Sequence, residues 1–175
     1  MSLRKSSKPP EVILGIDPGT TGMGYALLDH AGEPPRILDC GVVETPRGIS
    51  AAERLVAIAT ALEHLIGEHA PAALAVERLY FNKNVRTAMA VAEARGVAML
   101  CAARAGLTVA EYTPQEVKLS VTGTGGADKR QVQRMIATLL ELETPITQDN
   151  VADAVAIALT HLRRARWDRV VAAAT

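Results

Sequence analysis

Residues 11–22 read Glu-Val-Ile-Leu-Gly-Ile-Asp-Pro-Gly-Thr-Thr-Gly, and no other stretch restricts the fold as much. Val12 to Ile16 is too short for an ordinary helix and rich in β-branched residues, so it reads as a buried central strand. Pro18, Gly19 and Gly22 then turn the chain sharply. The strand therefore delivers one carboxylate, Asp17, to its buried end. A charge there is costly unless it is paired or binds a cation. Two roles are open to it at this point: capping its own turn through the backbone, as Asp often does, or holding a metal or phosphate.

The remaining chain supplies the context. Met23 to Asp29 and Arg36 to Glu44 read as two further strands around the loop His30-Ala31-Gly32-Glu33-Pro34-Pro35, which favours an antiparallel meander. Ser50 opens a helix with apolar residues at helical spacing to about Glu68, and Ser50 with Glu53 matches a capping box. After Pro71, Ala72 to Glu77 is a second short apolar run that ends on a lone acid. Reached through a helix, it is expected parallel to the first strand. Carboxyl ends of neighbouring parallel strands are where α/β sheets place ligands, so Asp17 and Glu77 should converge.

Downstream come a polar-aromatic loop from Arg78 to Asn84 and an Ala-rich helix from about Val85 to Ala105. That helix either packs flat on the sheet or forms a dimer seam. A short strand from Val109 to Tyr112 follows, then a helix from Pro114 to Val121 with Pro in its first turn. A further helix is expected over Ala127 to Leu142 and a last one from about Gln148 to Arg164, with a weakly specified tail after it. The organisation expected is a basic tail over residues 1–10, one domain over 11–165 and a C-terminal tail over 166–175.

Nearly half of the 175 residues are hydrophobic and aromatics are scarce, which suits a single α/β domain with closely packed helices. No apolar run reaches the roughly 20 residues that span a bilayer. The first ten residues lack the apolar segment of a secretory signal. Cys40 and Cys101 have no metal-ligand spacing, and a reducing cytoplasm is the default. The net charge is zero but unevenly spread. Residues 11–77 hold ten acids and three bases, a net of −7, whereas residues 78–135 hold nine bases and four acids, a net of +5. This asymmetry points to a polyanion-binding face beside an acidic one.

The third acid to fit this pattern lies in Asp149-Asn150-Val151-Ala152-Asp153. At about 100° per residue, Asn150 stands about 60° and Asp149 about 40° from Asp153, so either can share its face. Asp149 can equally serve as a helix-terminal acid favoured by the dipole. Three acids from two strands and a helix repel one another, and a divalent cation stabilises such a cluster. All-oxygen ligands favour Mg²⁺ or Mn²⁺ over zinc. Two such ions about 4 Å apart clamp the attacking and leaving oxygens of a phosphodiester displacement. His161, two turns beyond Asp153, is left outside the ligand set.

Taken in order, these residues resemble the RuvC family of Holliday junction resolvases. Ile13 to Gly19 matches the family's first motif, and Ala75-Val76-Glu77 with Phe81-Asn82-Lys83-Asn84 is similar to the second. Ala94 to Val97, Tyr112-Thr113-Pro114 with Val117-Lys118, Asp128 to Gln133 and Asp153 to Ala158 complete the series. The resemblance implies an α/β, ribonuclease-H-like fold with a five-stranded mixed sheet flanked by helices. It implies a homodimer that places paired symmetric nicks in a four-way DNA junction, using Mg²⁺ or Mn²⁺, two ions per site. It also implies branch-migration motor proteins as partners and no membrane. Asp17, Glu77 and Asp153 match the metal-binding acids. The family's fourth ligand, an acid or histidine, falls on Asn150, a departure that brings an amide oxygen without charge. Lys118 and Lys129 match basic residues that stabilise phosphate charge. Lys118 joins the three acids as a candidate catalytic group. Tyr80 falls where the family commonly stacks an aromatic on an unpaired base, an interaction worth about 1–3 kcal/mol. With Lys83, Arg86 and Arg130, these residues make up the candidate DNA-binding set.

Two rival readings differ in class. Asp17-Pro18-Gly19-Thr20-Thr21 also matches the phosphate loop of actin- and sugar-kinase-like ATPases, but those need two such subdomains and this chain has one. A junction-binding scaffold with weakened chemistry is the other: Asn150 keeps it open, and the three acids speak against it.

Overall fold

The computed structural model describes residues 11–18, 22–78 and 85–174, with side chains from residue 88 onward in the last stretch. Five strands form one sheet: β1 (Val12–Asp17), β2 (Met23–Asp29), β3 (Arg36–Val43), β4 (Ala73–Glu77) and β5 (Thr108–Tyr112). Their spatial order is β3-β2-β1-β4-β5. The first three strands make the expected antiparallel meander, while β4 lies parallel to β1 and β5 parallel to β4. The five-stranded mixed sheet is borne out.

Helices cover both faces. On one side lie α1 (Ala51–His69) and α2 (Val85–Arg104); on the other lie α3 (Pro114–Thr122), α4 (Lys129–Leu139) and α5 (Asp149–Ala173). Strand side chains alternate between faces, and the two cores show it. Leu14, Ile16, Leu74 and Val76 join the core under α1 and α2. Ile13, Ala73 and Ala75 face the side of α3, α4 and α5. By the same alternation Asp17 and Glu77 point to the α5 side.

The helix starts follow their caps. Ser50 accepts from the Glu53 amide at 3.2 Å while the Glu53 carboxylate accepts from the Ser50 amide at 2.8 Å, the capping box anticipated from sequence. Thr113 with Glu116 and Asp128 with Gln131 build two more. The cap at Asp128 starts α4 two residues later than the expected Ala127. The helix stops before Leu142, where Glu141 takes a left-handed φ of 52°.

The expected C-terminal tail is instead the end of α5, which continues nine residues past Arg164 to Ala173. No Pro or Gly interrupts residues 149–173, and Arg164 pairs with Asp168 one turn on at 3.3 Å. Arg166 and Arg169 tie this extension back to Glu33 and Glu11.

Two glycines let α5 lie against the sheet. A Cβ built on Gly15 would stand 2.3 Å from the Ala154 carbonyl oxygen, and one on Gly24 would stand 2.1 Å from that of Asn150. Main chain meets main chain at both points. The first two turns of α5, which carry Asn150 and Asp153, therefore sit directly over the ends of β1 and β2. Among the described residues no helix is long and apolar enough to cross a membrane.

Candidate active site

Asp17, Glu77 and Asp153 come from three different elements, and the fold brings their charges into mutual range. The Asp17 carboxyl is pushed up from 3.8 to about 7, first by burial and then by the nearby charges of Asp153 and Glu77, with Lys129 opposing. Glu77 is raised by burial and by Asp153 against the pull of Lys118. Asp153 is raised chiefly by burial, offset by Lys129 and Lys118. Each acid thus resists ionisation first because it is buried and then because neighbouring carboxylates add to this, the nearby lysines offsetting only part of the effect. Among the described residues, no three His, Cys, Asp or Glu side chains are gathered tightly enough to cage an ion as they stand. The fold brings three carboxylates near enough for their charges to oppose one another's ionisation. That hard, oxygen-only, under-neutralised donor set fits a divalent cation such as Mg²⁺ or Mn²⁺.

Lys118 and Lys129 stand beside two of the three acids. Glu77, Lys118, Lys129 and Asp153 line one cleft of about 210 Å³, walled by Pro114, Val117, Val132, Ala156 and Ile157. Lys129 Nζ stands 2.9 Å from Asp149 Oδ2 and 3.9 Å from Asp153 Oδ2. A larger hollow of about 400 Å³, lined by His30, Glu33, Leu162 and Arg163 among others, contains none of these acids.

The helical geometry left both Asp149 and Asn150 able to share a face with Asp153, and the structure separates them. Asp149 turns toward α4, bonded to Lys129 and accepting from Gln133 Nε2 at 3.3 Å. Asn150 turns toward the sheet, donating from Nδ2 to the Gly22 carbonyl at 3.1 Å. That bond uses one amide hydrogen and orients the side chain, whose oxygen is its only acceptor.

His161 is remote from this chemistry: its Nδ1 is 2.9 Å from the Tyr112 hydroxyl, and burial lowers its pKa. Arg130 is exposed on α4 next to Lys129 and does not line the cleft. Tyr80 and Lys83 lie outside the described residues, as does the side chain of Arg86. Sequence reasoning gave no role to Arg95, although it stands in the quoted Ala94–Val97 motif. Its Nε donates to the Glu77 backbone carbonyl at 3.1 Å.

The carboxylate shifts carry a stability signature. Between about pH 4 and pH 7 the folded, metal-free chain retains a proton on Asp17 that the unfolded chain has lost. Stability therefore falls as pH rises through that window and levels off above it. Thermal melts in chelator should show Tm declining less steeply for Asp17→Asn than for wild type. Equal slopes would contradict the origin assigned to the shift.

The family model described as Crossover junction endodeoxyribonuclease RuvC matches residues 13–161. The chain is 46% identical over 158 residues to the crossover junction endodeoxyribonuclease RuvC of Pelotomaculum thermopropionicum, covering 90% of this chain and 96% of that protein. It is 49% identical over 156 residues to that of Heliobacterium modesticaldum, covering 89% and 96%. Among solved structures it is similar to Thermus thermophilus RuvC in complex with Holliday junction substrate, with a TM-score of 0.85 and 34% identity over 90% of this chain and 96% of the other. A yeast mitochondrial Holliday junction resolvase shares the fold at a TM-score of 0.63 and 12% identity, covering 91% of this chain and 82% of that one.

Proposed function

The chain belongs to the RuvC family of crossover junction endodeoxyribonucleases, and from that premise we propose that it resolves four-way DNA junctions by paired, symmetric phosphodiester hydrolysis at the Asp17, Glu77 and Asp153 cluster. It is a divalent-metal-dependent nuclease, as the family is. The observation that carries the site assignment is the electrostatic coupling of these three acids from β1, β4 and α5 beside two cleft lysines.

In this reading Asp17, Glu77 and Asp153 hold the metal, two Mg²⁺ or Mn²⁺ per site. The Asn150 side-chain oxygen completes the set as a neutral ligand, the amide being held in orientation by its bond to Gly22. Bound divalent cations supply Lewis-acid stabilisation of the phosphodiester and make water a competent nucleophile near neutral pH. Lys118 and Lys129 meet the phosphate oxygens and stabilise charge as it develops there. On DNA approach Lys129 would exchange its contact with Asp149, a solvent-exposed pair that costs little to break. Tyr80, Lys83, Arg86 and Arg130 extend the DNA-contacting surface of the basic segment.

Paired nicks need two sites, and a homodimer provides them. Supporting this, α2 exposes Met89, Gly96, Leu100 and Ala103, spaced so that they share one helix face away from the core. The nuclease domain is taken as residues 11–165, with the rest of α5 continuing from it. Cooperation with branch-migration motors and action in the cytoplasm follow from the same family premise.

The test is cleavage of a synthetic four-way junction against a linear duplex of the same sequence, in Mg²⁺, in Mn²⁺ and in chelator. Symmetric nicks confined to the junction, lost in chelator, are expected, with junction binding weakening as salt rises because phosphate contacts release counterions. Cleavage that persists in chelator, or that treats the linear duplex equally, would overturn the reading.

A further inference from the structure

Glu77 is the last residue of β4, and little of its own strand follows to hold it. Its neighbours on β5 supply one restraint: Glu77 stands opposite Tyr112 in the parallel register, and the Arg78 amide donates to the Tyr112 carbonyl at 2.7 Å. The other restraint comes from the opposite face of the sheet. Arg95 on α2 reaches the strand end with its side chain only 16% exposed and donates from Nε to the Glu77 carbonyl at 3.1 Å. The far side of its guanidinium is ion-paired with Glu111 on β5, whose strand position lies opposite Val76. One planar group therefore spans α2, β4 and β5. A guanidinium can do this because its donors are fixed in a fork, so gripping Glu111 aims Nε at the carbonyl.

We infer that Arg95 is a positioning residue for the nuclease reaction: braced by Glu111, it fixes the peptide plane of Glu77 and so the direction in which the Glu77 carboxylate leaves the sheet. The inference rests on the reading of Glu77 as a metal ligand. Arg95 lies on the α1 and α2 side while Glu77 points to the α5 side, so it acts on the ligand set through the Glu77 backbone and not by touching the metal. A carboxylate among three that repel one another turns away whenever its backbone yields. The brace opposes that motion and keeps the ligand set assembled.

The variants that isolate this role are Arg95→Lys, which keeps a charge for Glu111 but loses the fork, and Glu111→Gln, which leaves the fork unbraced. Mn²⁺ binding is read calorimetrically on the DNA-free protein, alongside thermal melts, junction binding in chelator and single-turnover cleavage. Arg95→Lys should weaken Mn²⁺ binding by about tenfold, the scale typical of groups that orient metal ligands, with Glu111→Gln in the same direction and smaller. Junction affinity should stay within about twofold, so the loss appears in the turnover rate rather than in binding. The same substitution made on a Glu77→Gln background should change Mn²⁺ affinity no further, because Arg95 acts through Glu77. Unchanged Mn²⁺ affinity in Arg95→Lys, or an effect that persists undiminished without the Glu77 carboxylate, would overturn the inference. If Glu77→Gln alone leaves Mn²⁺ binding intact, the metal reading of Glu77 fails first and takes the inference with it.

Discussion

Asp17→Asn should lower junction cleavage by about three orders of magnitude or more, equivalent to about 4 kcal/mol of barrier, while the protein stays folded and binds the junction. The position explains both halves. Asp17 ends the central strand on the α5 side, beside Glu77 and Asp153, and its own carboxylate is the most perturbed of the three. An amide of the same shape removes the charge a cation needs there. It also removes a carboxylate that repels its neighbours, so the metal-free variant should melt at or above the wild-type temperature. Single-turnover cleavage in Mg²⁺ and Mn²⁺ with a thermal melt in chelator tests the pair of outcomes. Cleavage near the wild-type rate would remove Asp17 from the site. A large drop in Tm would make the loss a folding defect.

The second large effect is on stability. Gly24→Ala places a methyl 2.1 Å from the Asn150 carbonyl oxygen, 2.6 Å from its carbon and 3.0 Å from its Cβ. These are atoms of the first turn of α5, which cannot step aside as the end of a flexible side chain would. The helix must move off the sheet or β2 must shift. Overpacking of a rigid site costs about 3 kcal/mol or more, which for a chain of this size is roughly 6–12 °C in Tm. Gly15→Ala meets the Ala154 carbonyl oxygen at 2.3 Å and belongs to the same class. Gly67→Ala is the control. Its added methyl meets nothing within 4 Å, and removing a helical glycine gains roughly 0.5–1 kcal/mol. If Gly24→Ala melts with the control, the close packing of α5 on the sheet is wrong.

Much of this architecture could be read from the chain, and its limits have physical causes. Short apolar runs that end on an acid marked β1 and β4, and the intervening helix dictated that they lie parallel. The carboxyl ends of neighbouring parallel strands then brought Asp17 and Glu77 together at one end of the sheet. Ser50 with Glu53 and Pro114 announced their helices because capping is a local chemistry. The extension of α5 was missed because residues 165–173 have weak apolar periodicity, and their support comes from Glu11 and Glu33, far away in sequence. The choice between Asp149 and Asn150 was equally hidden. Helical geometry put both near Asp153, and only the positions of Lys129, Gln133 and Gly22 divide them. Arg95 stood in a quoted motif, yet its partner is a backbone carbonyl, which no side-chain pattern advertises. Tyr80 and Lys83, assigned through the family resemblance, lie outside the described residues.

The contact of α5 with β1 and β2 through bare main chain makes the two sides of the sheet mechanically unequal. Between the sheet and α1 or α2, leucine, isoleucine and valine side chains fill the gap, and a gap filled with side chains can be refilled with others of similar volume. Between Gly15 or Gly24 and α5 nothing is interposed, so no repacking can change that spacing. A designer seeking a more heat-resistant enzyme can work the α1 and α2 side, leaving alone the Arg95 bridge. The height of α5 above β1 and β2, and with it the level at which Asp153 is held, is gauged by the thickness of two backbones and will not follow.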